Sequence, residues 1–401
     1  MKATVSSAAQ RSSVRVACAF VLAAATLRPQ LVAVAPLLPN MTRDLHLSYV
    51  TAGLLGALPV LCMGLAAPLP FWLREWVTSR ALLTAGMGAI ALFGTLRALS
   101  PDSLTVLLTT LGVGVGIAIA GASLPIMVKE EFPGQPLRAT ATYTTGLQVG
   151  AVASAALAIP LAAAFGGWRL ALLAFSIATA GLLILVIGLT RHLRAGGRAG
   201  KSMIRVRIDR RTLASAGAFA LFCFAYYGLT SWLPSAYVAF GWTAAASGIL
   251  IALLNVGSLL GSFGTVFWAR RWLSGGDGLA LIAGAFAISV AGLVFVPLLG
   301  YPLAFISGVA NGALLALMLA LPVQISTDPR DAAVRSAVTI GVGYAVASAG
   351  PVTVGALRDV TTSFTIALSA VVASALALWI VCIGIAAHTR QSRPTHAVPG
   401  A

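Results

Sequence analysis

Acid is what this sequence has least of. Only ten of its 401 residues are Asp or Glu, and charged residues make up 9%, against about 25% in a soluble domain. All ten acids (Asp44, Glu75, Asp102, Glu130, Glu131, Asp209, Asp277, Asp328, Asp331 and Asp359) fall between the long apolar runs or at their ends. The four histidines, His46, His192, His388 and His396, lie in loops or the tail. These absences argue against a buried proton-relay carboxylate or histidine. No His, Cys and Asp cluster has metal-ligand spacing, so no metal is expected. The four cysteines, Cys18, Cys62, Cys223 and Cys382, sit inside apolar runs. They form no extracellular disulfide framework and read as small packing residues. GVGVGIAIAGASLP (112–125) has the glycines of a phosphate loop but lacks its Lys-Ser/Thr ending, so nucleotide-driven chemistry is not expected. No nucleophile–base pair points to catalysis. The sequence therefore reads as a non-enzyme with no catalytic residue, no cofactor, and neither nucleic acid nor nucleotide as partner.

What is abundant is apolar sequence. Hydrophobic residues make up 59% and mean hydropathy is +0.95. Val16–Leu27 has the length of a signal-peptide core, but Arg28 and the further apolar runs behind it argue against that reading. Polar breaks divide the chain into twelve runs of membrane-spanning length: 14–39, 48–73, 81–99, 103–128, 138–164 and 168–190, then 212–239, 243–268, 279–299, 300–325, 335–357 and 363–387. This predicts an all-α integral membrane protein with 12 transmembrane helices, its lipid partner being the bilayer itself.

The net charge of +16 is a topology signal. With the N-terminus in the cytoplasm, twenty-one of the 26 Lys and Arg fall inside. Four (Arg43, Arg97, Arg169 and Arg358) are assigned to the outside, and Arg28 stays in the membrane. That bias predicts a multi-pass protein of a bacterial plasma (inner) membrane with both termini cytoplasmic. The basic stretch RHLRAGGRAGKSMIRVRIDRR, 191–211, reads as a cytoplasmic linker held inside by its charge.

The two halves echo each other. Gly53 precedes Gly248 by 195 residues, Trp72-x-Arg74-x-Trp76 precedes Trp268-x-Arg270-x-Trp272 by 196, and AVASA recurs at 151–155 and 345–349. The near-constant offset predicts two pseudo-symmetric six-helix bundles, residues 1–190 and 212–387, with a tail at 388–401. Two such repeats about an axis along the membrane normal place a transport site between them at mid-depth.

Particular stretches carry a resemblance. LRPQLVAVAPLLPNM (27–41) and TAGLLGALPVLCMGL (51–65) resemble the first two helices of the cyanate / nitroimidazole transporter family within the major facilitator superfamily. YYGLTSWLPSAYVAFG (226–241) resembles that family's seventh helix, and GVGYAVASAGPVTVGALRD (341–359) its eleventh. The superfamily's acidic residue before the arginines of the loop after helix two is absent here: that loop reads WLREWVTSR, with Glu75 its only acid. The glutamines family members often carry early in helix seven and before the Gly-x-Gly of helix eleven are replaced by Leu221/Phe222 and Ile340. The resemblance implies the major facilitator fold and transport of cyanate-like small solutes, or export of nitroimidazole-like compounds.

One residue stands out. Arg28 lies about 21 Å into its run at ~1.5 Å per residue, near mid-membrane, with Pro29 behind it. A charge there costs roughly 2.5–3.5 kcal/mol on insertion scales. No run offers it a carboxylate. It is therefore expected to bond groups freed at Pro29 or to await an anionic small-molecule substrate, for which a planar guanidinium is suited. Gln148, Tyr227, Asn255, Asn311 and Tyr344 fall near mid-depth in other runs and are the further substrate-binding candidates. Tyr143 and Trp232 lie nearer the run ends. Each has a plainer reading: Asn and Gln bond neighbouring helices, Trp232 anchors at the interface, and of the consecutive Tyr226 and Tyr227 only one is expected to face inward. The leading expectation is alternating-access transport of a small anion or polar solute. The alternatives are efflux of drug-like aromatic compounds, and a membrane enzyme or receptor without transport.

Overall fold

The computed structural model describes residues 15–66, 76–132, 136–191, 209–272, 277–326 and 329–391. Most of the basic linker and of the C-terminal tail lie outside these residues. Among those described, eleven helices are long and apolar enough to cross a membrane, and a twelfth, Tyr49–Leu65, is shorter. We number them spans one to twelve. Span one is Arg15–Asp44 and span two Tyr49–Leu65. Spans three to six are Ser79–Ala98, Ser103–Glu131, Pro136–Phe165 and Trp168–Thr190. Spans seven to ten are Arg210–Ala239, Ala244–Trp272, Asp277–Phe295 and Gly300–Gln324. Span eleven is Pro329–Ala347 continued by Ala349–Thr361, and span twelve is Phe364–Gln391.

Short polar side chains set several starts. Ser48, Asp102 and Asp209 each accept a hydrogen bond from the main-chain N–H three residues on, at 3.1, 2.8 and 2.8 Å, satisfying donors a helix start leaves free. Span nine ends at Phe295, before the 299 expected from sequence, because Pro297 has no N–H to continue the ladder and opens a tight 3-10 turn, Pro297–Leu299. Large apolar side chains such as Leu108, Ile184 and Ile380 face outward, as a lipid solvent requires. Cys62, Cys223 and Cys382 are buried. Cys18 is exposed, so it is not the packing residue that its apolar run suggested.

The packing repeats. Span three packs on four and six, as nine packs on ten and twelve. Spans two and four pair as eight and ten do. Across the halves, span two packs on eleven and span five on eight. Exchanging the halves turns one of these pairs into the other, the signature of a two-fold axis along the bundle. Spans eight and ten approach closest: a Cβ on Gly257, Gly261, Gly308 or Gly312 would collide with a carbonyl of the opposite helix.

At the end of the bundle away from the described termini, the halves meet closely. Trp232 of span seven donates from Nε1 to the Pro351 carbonyl at 2.8 Å. Its ring packs with Tyr49 and Phe364, centroids 5.7–5.9 Å apart. Arg358 lies over both Tyr49 and Phe364, at 4.9 and 4.8 Å.

Candidate functional site

Span one is broken where Arg28 sits. Leu27 N–H bonds back three residues to Ala24, and Leu31 N–H three back to Arg28. Pro29–Val32 forms a single turn of its own before the helix resumes at Val34. Pro29 cannot donate, so the Ala25 carbonyl loses its helical partner. Gly150 of span five lies against that oxygen so closely that a Cβ there would collide with it. The break thus has a local cause and a packing partner.

The break aims Arg28 into a cavity of about 40 Å³ between the halves. Span seven contributes Tyr226, Tyr227, Thr230 and Ser231, span eight Asn255, and span two Gly56. The Arg28 guanidinium stands against the Tyr227 phenol, and Tyr227 against Tyr344 of span eleven. Ring centroids of Tyr227 lie 5.0 Å from Tyr226 and 6.0 Å from Tyr344. Of the residues lining the cavity, only Arg28 is charged. The lining combines this guanidinium with phenol and hydroxyl groups and an apolar wall of Leu31, Val34 and Ile251. Among the described residues, no cluster of three metal-ligating side chains occurs.

The candidates named from sequence separate in space. Arg28, Tyr227 and Asn255 line the cavity, and Tyr344 reaches it through Tyr227. Both consecutive tyrosines line it, contrary to the expectation that only one could, because their directions differ by about 100° and the cavity wraps that arc. Asn255 donates to the Ile251 carbonyl of its own helix at 2.8 Å. Asn311 lies outside the lining and donates to Ser258 at 2.8 Å, tying span ten to span eight. Trp232 is buried at the closed end. Gln148 and Tyr143 are half-buried on span five, outside the lining.

Two functional-looking residues escaped the sequence reading. Arg97, counted there among the outside charges at the end of the run 81–99, is in the last turn of span three and fully buried. Its Nη2 donates to the Gln30 carbonyl at 2.7 Å and to Gln30 Oε1 at 2.5 Å. Gln30, also fully buried, donates from Nε2 to Ser176 at 2.8 Å and to the Leu172 carbonyl at 3.2 Å. The signal was present: Arg97 continues the buried stripe of Leu83, Met87, Ile90 and Gly94 at helical spacing.

The sequence profile of the Major Facilitator Superfamily matches residues 17–351. The chain is 28% identical to the uncharacterized transporter YycB of Bacillus subtilis (strain 168), over 88% of each protein. It is 28% identical to the cyanate transport protein CynX of Escherichia coli (strain K12), over 86% of this chain and 90% of that one. It is 27% identical to the 2-nitroimidazole transporter of the same organism, over 90% and 93%. Among solved structures, a bacterial homolog to the human lysosomal transporter Spinster, inward-facing and unoccupied, superposes with a TM-score of 0.71 at 17% identity. That match covers 97% of this chain and 99% of that one, a likeness of fold.

Proposed function

The chain belongs to the Major Facilitator Superfamily and is a multi-pass membrane transporter, and from that premise we propose that it carries a small anion of cyanate-like size. The observation that carries the proposal is Arg28: a guanidinium at the broken turn of span one, aimed into a cavity whose lining holds no carboxylate. An anion entering there supplies the missing countercharge. The Tyr227 phenol and the Ser231 hydroxyl supply further donors. The lysine and arginine distribution supports an inner-membrane topology with both termini in the cytoplasm.

Cavity size separates this reading from its rival. The 2-nitroimidazole transporter among the relatives and the phenol rings around the site favour an aromatic cargo. A cavity of about 40 Å³ has room for roughly three waters at ~10–15 Å³ each. A three-atom linear anion fits that space, and the larger nitroimidazole ring is the less well accommodated of the two.

The test is binding to purified protein in detergent, followed by thermal shift. Cyanate and thiocyanate should stabilise the protein in proportion to log concentration, Arg28→Ala should abolish the shift, and 2-nitroimidazole should give none. Stabilisation by 2-nitroimidazole alone would transfer the assignment to the aromatic reading.

A further inference from the structure

Arg97 is a fully buried guanidinium of the first half, and its nitrogens Nε and Nη1 have no hydrogen-bond partner. Its one bonded nitrogen serves Gln30 alone, through both oxygens of that residue. A buried charge held this way costs more than an apolar side chain of similar size would, so packing alone does not account for it. What Gln30 belongs to does. It sits in the isolated turn Pro29–Val32, two residues from Arg28. Residues two apart on a helical turn point about 200° from each other. Arg28 therefore faces the cavity while Gln30 faces back into the first half, where Arg97, Ser176 and the Leu172 carbonyl hold it. A single turn bounded by two breaks has little stiffness of its own. Its orientation comes from what grips it.

We propose that Arg97 is a positioning residue for Arg28: through Gln30 it fixes the turn Pro29–Val32 so that the Arg28 guanidinium is delivered to the cavity. The idea deepens the anion reading above and rests on it for its functional meaning. Gly94 belongs to the same device. A Cβ there would fall 2.8 Å from Gln30 Nε2 and 2.7 Å from Ser176 Oγ, so glycine at that position leaves room for Gln30 to reach its partners. The bland alternative is that Arg97 merely complements the carbonyl end of span three. That role predicts lower stability with no change at position 28.

The experiment reads the direction of residue 28 without any substrate. The native cysteines are replaced (Cys18→Ser, Cys62→Ala, Cys223→Ala, Cys382→Ala), Arg28→Cys is introduced, and its rate of reaction with a water-soluble cationic methanethiosulfonate is measured. Adding Arg97→Lys, which keeps the charge on a shorter side chain that falls short of the position of Nη2, should slow that reaction about tenfold, the equivalent of one charge-assisted hydrogen bond. Gln30→Ala, the second and milder variant, should slow it in the same direction. The two together should slow it no further than Arg97→Lys alone, since they remove one contact. In the parent protein with Arg28 intact, Arg97→Lys should also weaken thiocyanate binding about tenfold while the monodisperse yield stays the same. An unchanged labelling rate in both folded variants overturns the proposal. A changed rate in a protein that binds no small anion leaves Arg97 as the positioning residue and removes the anion reading instead.

Discussion

The Asp359 carboxylate, at the end of span eleven, accepts a hydrogen bond of 3.1 Å from the main-chain N–H of Tyr49, at the start of span two. Its second oxygen accepts from Val50 N–H at 2.9 Å. A side chain of the second half thus caps a helix of the first, at the positive end of that helix's dipole. The bond lies beside the Trp232, Tyr49 and Phe364 rings, so the closed end of the transporter is held by an exposed polar clasp over an apolar plug.

We expect Asp359→Asn to loosen that end. An exposed carboxylate at a helix start contributes about 0.3–1 kcal/mol, so the population of the opened form should rise about two- to fivefold. Accessibility of Ser231→Cys to a thiol reagent added from that side reads the change. An unchanged rate would show that the aromatic plug alone holds the end.

Tyr227 joins Arg28 to Tyr344 across the halves. Tyr227→Phe keeps the ring and removes the donor. Anion affinity should fall about tenfold, the usual worth of a hydrogen bond to a charged partner, with the folded yield unaltered. Affinity equal to that of the parent protein would place the phenol outside the binding step.

Spans eight and ten should behave as one body. Gly312→Val would drive a side chain into the Ser258 carbonyl, and overpacking of this kind costs typically 1–3 kcal/mol. Thermal unfolding in detergent should shift down clearly. Gly217→Val, where no neighbour lies within 4 Å, should leave it nearly unchanged.

Acid should weaken the start of span seven. The Arg335 guanidinium, 2.7 Å from Asp209, together with the Thr212 hydroxyl and N–H, holds the Asp209 carboxyl well below the usual carboxylate range. A depressed pKa gives stability that is present above the unfolded value, near 3.9, and lost as pH falls through the folded value. The stability difference between the parent and Asp209→Asn should therefore be constant above about pH 5 and shrink below about pH 4. Melting curves of the two proteins across that window check it.

No proton-coupling carboxylate faces the cavity. Glu130 is held by the Ser79 hydroxyl, at the C-terminal end of span four. We expect accumulation of a non-titrating anion in proteoliposomes to follow that anion's own electrochemical gradient and, with the membrane voltage clamped, to ignore an imposed pH gradient. Concentrative uptake that collapses with a protonophore, and is lost in Glu130→Gln or Glu131→Gln, would contradict this.

The sequence made twelve spans legible because lipid demands long uncharged runs, and it marked Arg28 because charge is costly there. It could not say which side of each helix faces inward. Asn311 and Asn255 look alike as mid-run polar residues, yet one ties span ten to span eight and the other lines the cavity, a distinction set by helix rotation. Arg97 was lost for the opposite reason. Its place three residues before Ser100-Pro101-Asp102 reads as the outer end of a run, where a charge meets water, while the helical stripe that buries it runs backwards from it.

A fixed cation in an acid-free cavity also decides which form of the carrier carries charge. With a monovalent anion bound, the site is electrically neutral. Empty, it holds the full charge of Arg28. The membrane voltage, worth ~2.3 kcal/mol per elementary charge per 100 mV, then acts on the return of the unloaded protein and leaves the loaded crossing almost untouched. Voltage would set how quickly the carrier resets, and exchange of one anion for another, which never requires the empty form to cross, would run independently of it.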